Sequence, residues 1–235
     1  MEPILQNALP DSHLNDPRLP GTMPCDPDGW LHVDDAYGAQ LALRRNLIHT
    51  QPDKVIYEPQ EVRAAGSEVL HEALKLLSGL GFEVSESTVT CPDGHCLQIN
   101  HDHPLRTLGH LVQEDICILQ KRGDEHVLTG AVLCFPASWR LADKADRPLT
   151  DIHAPVDEYD DNIARRVQRL FDGVRVGKPL WRFNKLRYAD ADLYQPGRKP
   201  EDGEMPYVRS ERQCILRLPL TDAVVFTIHT YVVRA

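Results

Sequence analysis

The chain lacks the signatures of most nucleotide and nucleophile enzymes. No Gly-x-Ser-x-Gly, P-loop or Gly-x-Gly-x-x-Gly pattern occurs in its 235 residues. That leaves out the nucleophile elbow, the phosphate cradle and the dinucleotide fingerprint. No Cys-x-x-Cys pair occurs either, so the spacing for a ribbon-type zinc site or an iron–sulfur cluster is missing. Positive charge is in deficit: 26 Lys and Arg against 35 Asp and Glu give a net charge of −9. Such a balance argues against nucleic acid, whose binding needs a basic surface to release counterions, and against an anionic membrane surface. Long apolar runs are absent as well. The most apolar stretch, Ala223 to Val233, is broken by Thr227, His229 and Thr230, too short and too polar to span a bilayer. The opening residues carry neither a basic n-region nor an apolar h-region, so a secretory signal is not expected. The expectation is a soluble, cytoplasmic protein with reduced thiols.

What is present is enough apolar material, 42% of residues, to fill a core. Residues 1–30, with Pro3, Pro10, Pro17, Pro20, Pro24 and Pro27, read as an extended arm, and residues 31–235 as a single domain. Asp34 is a candidate N-cap for a helix carrying Leu41, Leu43, Leu47 and Ile48. Pro59 opens a second helix with an apolar stripe through Val62, Val69, Leu70, Ala73, Leu74 and Leu77, ended by Gly79 and Gly81. A hairpin turning at Pro92–Gly94 comes next, then a short helix from Pro104. The runs Ile116–Leu119 and Val127–Phe135 read as strands, Trp139–Lys144 as a helical piece, and Asp151 to Val156 as a loop. A helix carries Ile163, Val167, Leu170 and Phe171, and the last third supplies three strands. Two of these, Tyr207–Leu218 and Ala223–Val233, are separated so briefly that an antiparallel hairpin is favoured. The fold class is α+β, an antiparallel sheet flanked by helices.

The chain holds 11 His and 6 Cys, which raises the question of a metal. The densest group, Cys91, His95, Cys96, His101 and His103, has enough donors for zinc. Its Pro-Asp-Gly turn and irregular spacing favour a polar hairpin. Cys117 and Cys134, inside apolar runs, read as small buried hydrophobes. His153 stands between Pro148 and Pro155 on a stiffened approach. Spacing alone leaves it as either a satisfied loop histidine or a ligand, and a single histidine suffices for haem, where the porphyrin supplies four donors. Arg209-Ser-Glu-Arg-Gln places Arg209 and Glu211 on one face of a strand and Ser210 and Arg212 on the other. This reads either as an edge strand protected by charge or as a polar site, with arginines meeting cofactor carboxylates and Glu211 receiving a cationic substrate. Gln113-Glu-Asp reads as solvated helix termination. Trp139 reads as core, with the wall of a cofactor pocket as the alternative.

The runs Leu108-Gly-His-Leu-Val-Gln-Glu-Asp-Ile-Cys-Ile-Leu, Phe135-Pro-Ala-Ser-Trp-Arg-Leu-Ala-Asp-Lys, Ile152-His-Ala-Pro-Val and Arg209-Ser-Glu-Arg-Gln, in that order, resemble the haem-dependent oxidative N-demethylase alpha-subunit family. Asp28-Gly-Trp-Leu-His-Val-Asp-Asp-Ala-Tyr fits its opening, and the resemblance extends over roughly residues 20–233. It implies a PAS-like fold cupping haem b, and a monooxygenase that oxidises a small methylated amine such as dimethylamine with O2 and releases formaldehyde. Electrons would come from an external NAD(P)H-dependent flavin and iron–sulfur reductase. Carried over by position, His153 is the axial iron ligand and Glu211 the group near the amine. Arg209 or Arg212 would neutralise haem propionates, and Trp139 would wall the pocket. The chain departs from the family pattern at Asn184-Lys185, where Asn-Trp is usual; this bears on amine specificity. The competing reading is a PAS-like haem or small-molecule sensor without turnover.

Overall fold

The computed structural model describes residues 2–14, 21–153, 161–197 and 203–235, with the side chains of residues 153 and 161–165 outside the description. The N-terminal segment contributes one 3-10 turn, Asp11–His13, and a two-residue strand, β1 (Met23–Pro24). Helix α1 (Tyr37–Thr50) buries Leu41, Arg44, Leu47 and Ile48 at helical spacing. Asp34 lies just ahead of it, where its Oδ1 accepts the Ala36 N–H at 2.9 Å. The short α2 (Pro52–Val55) and β2 (Ile56–Tyr57) follow. The helix expected from Pro59 starts as a 3-10 turn and continues as α3 (Arg63–Leu77). It stops where Gly81 adopts φ 89°, a left-handed conformation that glycine takes at no steric cost.

Strands β3 (Glu83–Val84), β4 (Thr88–Thr90) and β5 (Cys96–Gln98) form a small separate sheet. The Cys91–His95 stretch is the turn read from Pro-Asp-Gly: Gly94 N–H donates to Cys91 O at 2.9 Å and Cys91 N–H to His95 O at 2.8 Å. Cys91 points into the core while Cys96 is exposed. Helix α4 (Pro104–Leu111) then lies so close to its neighbours that a Cβ on Gly109 would meet Val132 at 2.6 Å and Ile48 at 2.7 Å.

The main sheet begins with β6 (Asp115–Arg122) and β7 (Glu125–Val132). Helices α5 (Leu141–Lys144), α6 (Leu149–His153) and α7 (Asp161–Gly173) intervene. Strands β8 (Leu180–Tyr188), β9 (Tyr207–Arg217) and β10 (Val224–Arg234) complete it. The sheet is antiparallel throughout, in the order β1-β8-β9-β10-β6-β7-β2. Counted in chain order, the five long strands run 2-1-5-4-3, with three helices between the second and third. This is a PAS-like α+β arrangement. Directly paired residues share a face, so the register sorts the side chains. One face, with Trp181, Arg212, Cys214 and His229, is covered by α1, α3, α4 and the N-terminal residues; the other, with Asn184, Glu211 and Ile228, is covered by α5–α7. These are called the first and second face below.

Three expectations need correction. Part of the loop expected from Asp151 is helix: α6 starts behind Pro148, whose carbonyl accepts the Ile152 N–H at 3.0 Å. Proline at a helix entrance costs nothing, because its missing N–H would be unpaired there anyway. The remainder, residues 154–160, lies outside the described residues. Strand β9 is not an edge strand, being paired along its length with β8 and β10, so its charges are not there to repel other chains. Gln113, Glu114 and Asp115 are not solvated. All three are buried, because each has partners that water would otherwise replace.

The most heavily bonded of those partners is Arg44. Its fully buried guanidinium donates Nη1 to Asp115 Oδ1 at 2.6 Å and to Gln113 O at 3.1 Å. Nη2 donates to Glu114 O at 2.8 Å and Nε to Gly109 O at 3.3 Å. The Asp115 carboxylate also accepts the backbone N–H groups of Cys134 at 2.7 Å and Phe135 at 2.8 Å. Removing one member of a buried pair strands the other charge and costs about 3–5 kcal/mol. Asp115→Ala strands a cation and two backbone amides. Arg44→Met leaves Asp115 with its two amide donors and frees three backbone carbonyls, groups that tolerate under-satisfaction better than a buried N–H does. We therefore expect urea unfolding to show a larger loss for Asp115→Ala than for Arg44→Met; equal or reversed losses would contradict this account.

Candidate functional site

The second face divides into an apolar and a polar part. The apolar part is the floor under α5–α7, built from Cys117, Leu119, Ile215, Val224 and Ile228. The polar part lies where β8 and β9 pair. Glu211 sits opposite Asn184 on one side and Thr230 on the other. Its Oε2 accepts Asn184 Nδ2 at 3.0 Å, while its own N–H donates to Asn184 Oδ1 at 3.0 Å. Its Oε1 accepts Arg209 Nε at 3.1 Å. Arg209, 2% exposed, spends its other donors on backbone: Nη1 on Leu193 O at 3.1 Å and Nη2 on Phe135 O at 2.6 Å. The effect is a buried carboxylate held in one orientation.

Two groups nearby lack such satisfaction. Thr230 Oγ1 is buried with no hydrogen-bond partner among the described residues. Arg182, on the same face two residues before Asn184, has no hydrogen-bond or ion-pair partner among the described residues. Burial pulls its guanidinium below the usual range, and nothing counters the effect. A guanidinium taken from water favours an anion beside it, and the described residues supply none here.

The structure therefore brings Arg209 and Glu211 together and separates them from Arg212. Arg212 lies on the first face, where Nη1 donates to Cys214 Sγ, Nη2 donates to Cys25 Sγ and Gly29 O, and the guanidinium sits 5.1 Å from the Trp181 ring. Trp139 lies against the apolar part of the second face, with Lys144 Nζ 4.2 Å above its ring. Ser138, immediately before it, takes φ 65°, a conformation rare for a residue with a Cβ. His153 ends α6; its side chain lies outside the described residues. The Asn184-Lys185 departure is split by the strand alternation. Asn184 is bonded to Glu211, whereas Lys185 points to the first face and donates to Leu14 O at 3.0 Å.

The first face carries a polar cluster that the sequence reading missed. His229 faces Glu114 Oε1 at 2.8 Å through Nδ1 and Asp34 Oδ2 at 3.0 Å through Nε2. Burial opposes charge on this ring, but the two carboxylates outweigh it and raise the imidazole to about 9. Asp34 goes the other way: burial would raise it, yet His229, Gln113 and Gln6 hold it down to about 2. His13 and His32 remain neutral, each lowered to about 4 by burial and then by the Arg212 charge. His13 stacks on Phe183 at 4.4 Å and bonds Ser210 Oγ at 2.9 Å. The available signal was a histidine in the middle of an alternating apolar strand, Val225-x-Thr227-x-His229-x-Tyr231. An imidazole there needs partners, and the acids just ahead of β6 supply one.

Because the folded-state value of His229 lies above the ordinary 6.5, its contribution is full below about pH 6.5 and is lost as pH rises through about 9. The upper bound is about 3 kcal/mol. We expect unfolding free energy to fall between pH 6.5 and 9.5 in the wild type, and His229→Gln to flatten that slope. An imidazole resonance titrating near 6.5 would contradict the clamp.

Residues 21–235 match the family described as haem-dependent oxidative N-demethylase, alpha subunit-like. The match takes in both faces of the sheet, from β1 to the end of β10. With nearly the whole chain covered, this protein belongs to the haem-dependent oxidative N-demethylase, alpha subunit-like family.

Proposed function

We propose that the chain is the haem-binding catalytic subunit of an oxidative N-demethylase, acting on a small methylated amine of the dimethylamine class and releasing formaldehyde. In this reading residues 31–235 form the single haem domain and the second face is its ligand side. One observation carries the proposal: the face that α5–α7 cover holds both a fixed, buried carboxylate, Glu211, and a cation, Arg182, with no partner among the described residues.

The residues present fit a haem. The group is a flat apolar macrocycle edged by carboxylates, and the second face offers an apolar floor beside a partly buried guanidinium with no anion among the described residues. His153 would hold the iron. Arg182 would meet a propionate, a task that Arg209, bonded to Glu211 and two carbonyls, is less free to perform. Trp139 would wall the apolar side. When bound, haem supplies the oxidising chemistry with O2 and electrons from a separate reductase component; the alpha-subunit description of the family supports such a division of labour.

The chain's own contribution is positioning and charge. A methylated ammonium entering a buried site needs an anion, since an unpaired charge in a low-dielectric interior is strongly disfavoured. Glu211 supplies it through Oε2, the oxygen that accepts from Asn184, while Arg209 holds Oε1 and prevents the carboxylate from turning away. The Thr230 hydroxyl, on the next strand and without a partner, is placed to bond a second polar atom of a bound ligand. Glu211 is also placed to take up the ammonium proton, leaving the nitrogen lone pair available for oxidation.

The test is an absorption titration of purified protein with haem, then with dimethylamine. We expect a Soret band, its loss or shift in His153→Ala, and haem affinity lowered roughly tenfold or more in Arg182→Gln, as for loss of a charge-assisted bond. In Glu211→Gln the Soret band should persist, while the amine-induced shift needs roughly tenfold more amine or more. Absence of haem uptake by the folded wild type would overturn the proposal. An amine-dependent Soret shift with no formaldehyde on adding reductant and O2 would favour a sensor.

A further inference from the structure

Two cysteines far apart in sequence meet at one guanidinium on the first face. Arg212 Nη1 donates to Cys214 Sγ at 2.7 Å, and Arg212 Nη2 to Cys25 Sγ at 3.3 Å. The guanidinium is planar and rigid, so its two terminal nitrogens set the sulfurs side by side. Its geometry is itself fixed, by the Gly29 carbonyl at 2.8 Å and by the Trp181 ring. Cys214 is fully buried at the centre of β9. Cys25 is partly exposed, on the segment that leaves β1, with its N–H bonded to Pro179 O at 2.9 Å.

We propose that Cys25 and Cys214 form a peroxide-sensitive dithiol, with Cys25 as the attacking thiolate, Cys214 as the resolving thiol and Arg212 as the cation that activates the pair.

The electrostatics divide the roles. A hydrogen bond from Cys214 and the Arg212 charge bring Cys25 down to about 6, against burial and Asp26, while the same contact and burial push Cys214 up. At neutral pH one sulfur is an anion and the other keeps its proton, the arrangement that thiol–peroxide chemistry requires. The other buried thiols are unlike this. Burial pushes Cys117 and Cys134 up to about 12, and burial raises Cys91 as well.

The chemistry balances with one molecule of hydrogen peroxide. The Cys25 thiolate attacks a peroxide oxygen; an S–O bond forms, the O–O bond breaks, and the departing hydroxide takes a proton to leave as water. Cys25 is now a sulfenic acid. Cys214 gives up its proton and attacks the Cys25 sulfur, forming the S–S bond and displacing the second oxygen as water. Two thiols are oxidised, one peroxide is reduced and two waters leave. The bond joins the segment after β1 to strand β9. It lies on the face opposite Glu211, so it does not depend on the proposed haem site.

Cys96, exposed on β5, is an internal reference thiol. The experiment treats the reduced full-length chain with graded hydrogen peroxide, alkylates the remaining thiols and maps the peptides by mass spectrometry. We expect a Cys25–Cys214 linked peptide, reversed by dithiothreitol, at doses that leave Cys96 alkylated. In Cys214→Ser, Cys25 should stop at a sulfenic acid that dimedone traps, and in Arg212→Gln the oxidation of Cys25 should slow roughly tenfold or more. The wild-type mapping needs no substitution, so it decides even where a variant fails to fold. Oxidation of Cys96 before Cys25, or of Cys25 without linkage to Cys214, would overturn the proposal.

Discussion

The structure hangs on one buried ion pair. Arg44 and Asp115 together bond four separate stretches of chain: α1, the end of α4, the run Gln113–Asp115 that opens β6, and the exit from β7 at Cys134–Phe135. A lone buried ion pair gains little against its desolvation. This pair differs because nearly every donor and acceptor is used, so it sets positions as well as contributing energy. Its reach continues into the candidate site. Asp115 fixes the Phe135 amide, the Phe135 carbonyl accepts from Arg209, and Arg209 holds Glu211. The Glu211 carboxylate is thus oriented, through four links, by an arginine on the first long helix.

The sheet separates two polar populations that a linear reading runs together. On the first face, His229, Glu114 and Asp34 lock the N-terminal residues onto the sheet, with Gln6 bonding both Asp34 and the backbone of β10. These charges pair with one another, although Glu114 Oε2 has no partner among the described residues, and their role is attachment. On the second face neither Arg182 nor the Thr230 hydroxyl has a partner among the described residues.

Much of the fold could be read from residue order. The β9–β10 hairpin, α1, α3 and the turn at Pro92–Gly94 follow from alternation, helical spacing and turn chemistry, each a local signal. Glu211 stood out because both faces of its strand carry charge beside an apolar run, and the structure buries it against Asn184 and Arg209. The reading failed wherever the deciding partner was remote. Nothing near Glu114 says that His229 and the His32 backbone will satisfy it, so burial could not be anticipated from its neighbours. Strand alternation already set Arg212 on the face opposite Arg209, but only the pairing with β8 and β10 shows what each of them meets there. The role of His153 rests on resemblance, because a single imidazole leaves no spacing pattern to read.

The alternation of charge along β9 has a consequence for how the strand finds its place. Strand register is usually set by one oily side, because a slip of one residue turns that side to water. Arg209 to Arg212 offers no oily side. A slip here would set Glu211 among the acids around His229 and carry Arg212 to the face that holds Arg182. Both ends of the error are like-charge encounters. The strand is therefore keyed by electrostatics, and mispairing is rejected by repulsion on both sides of the sheet at once.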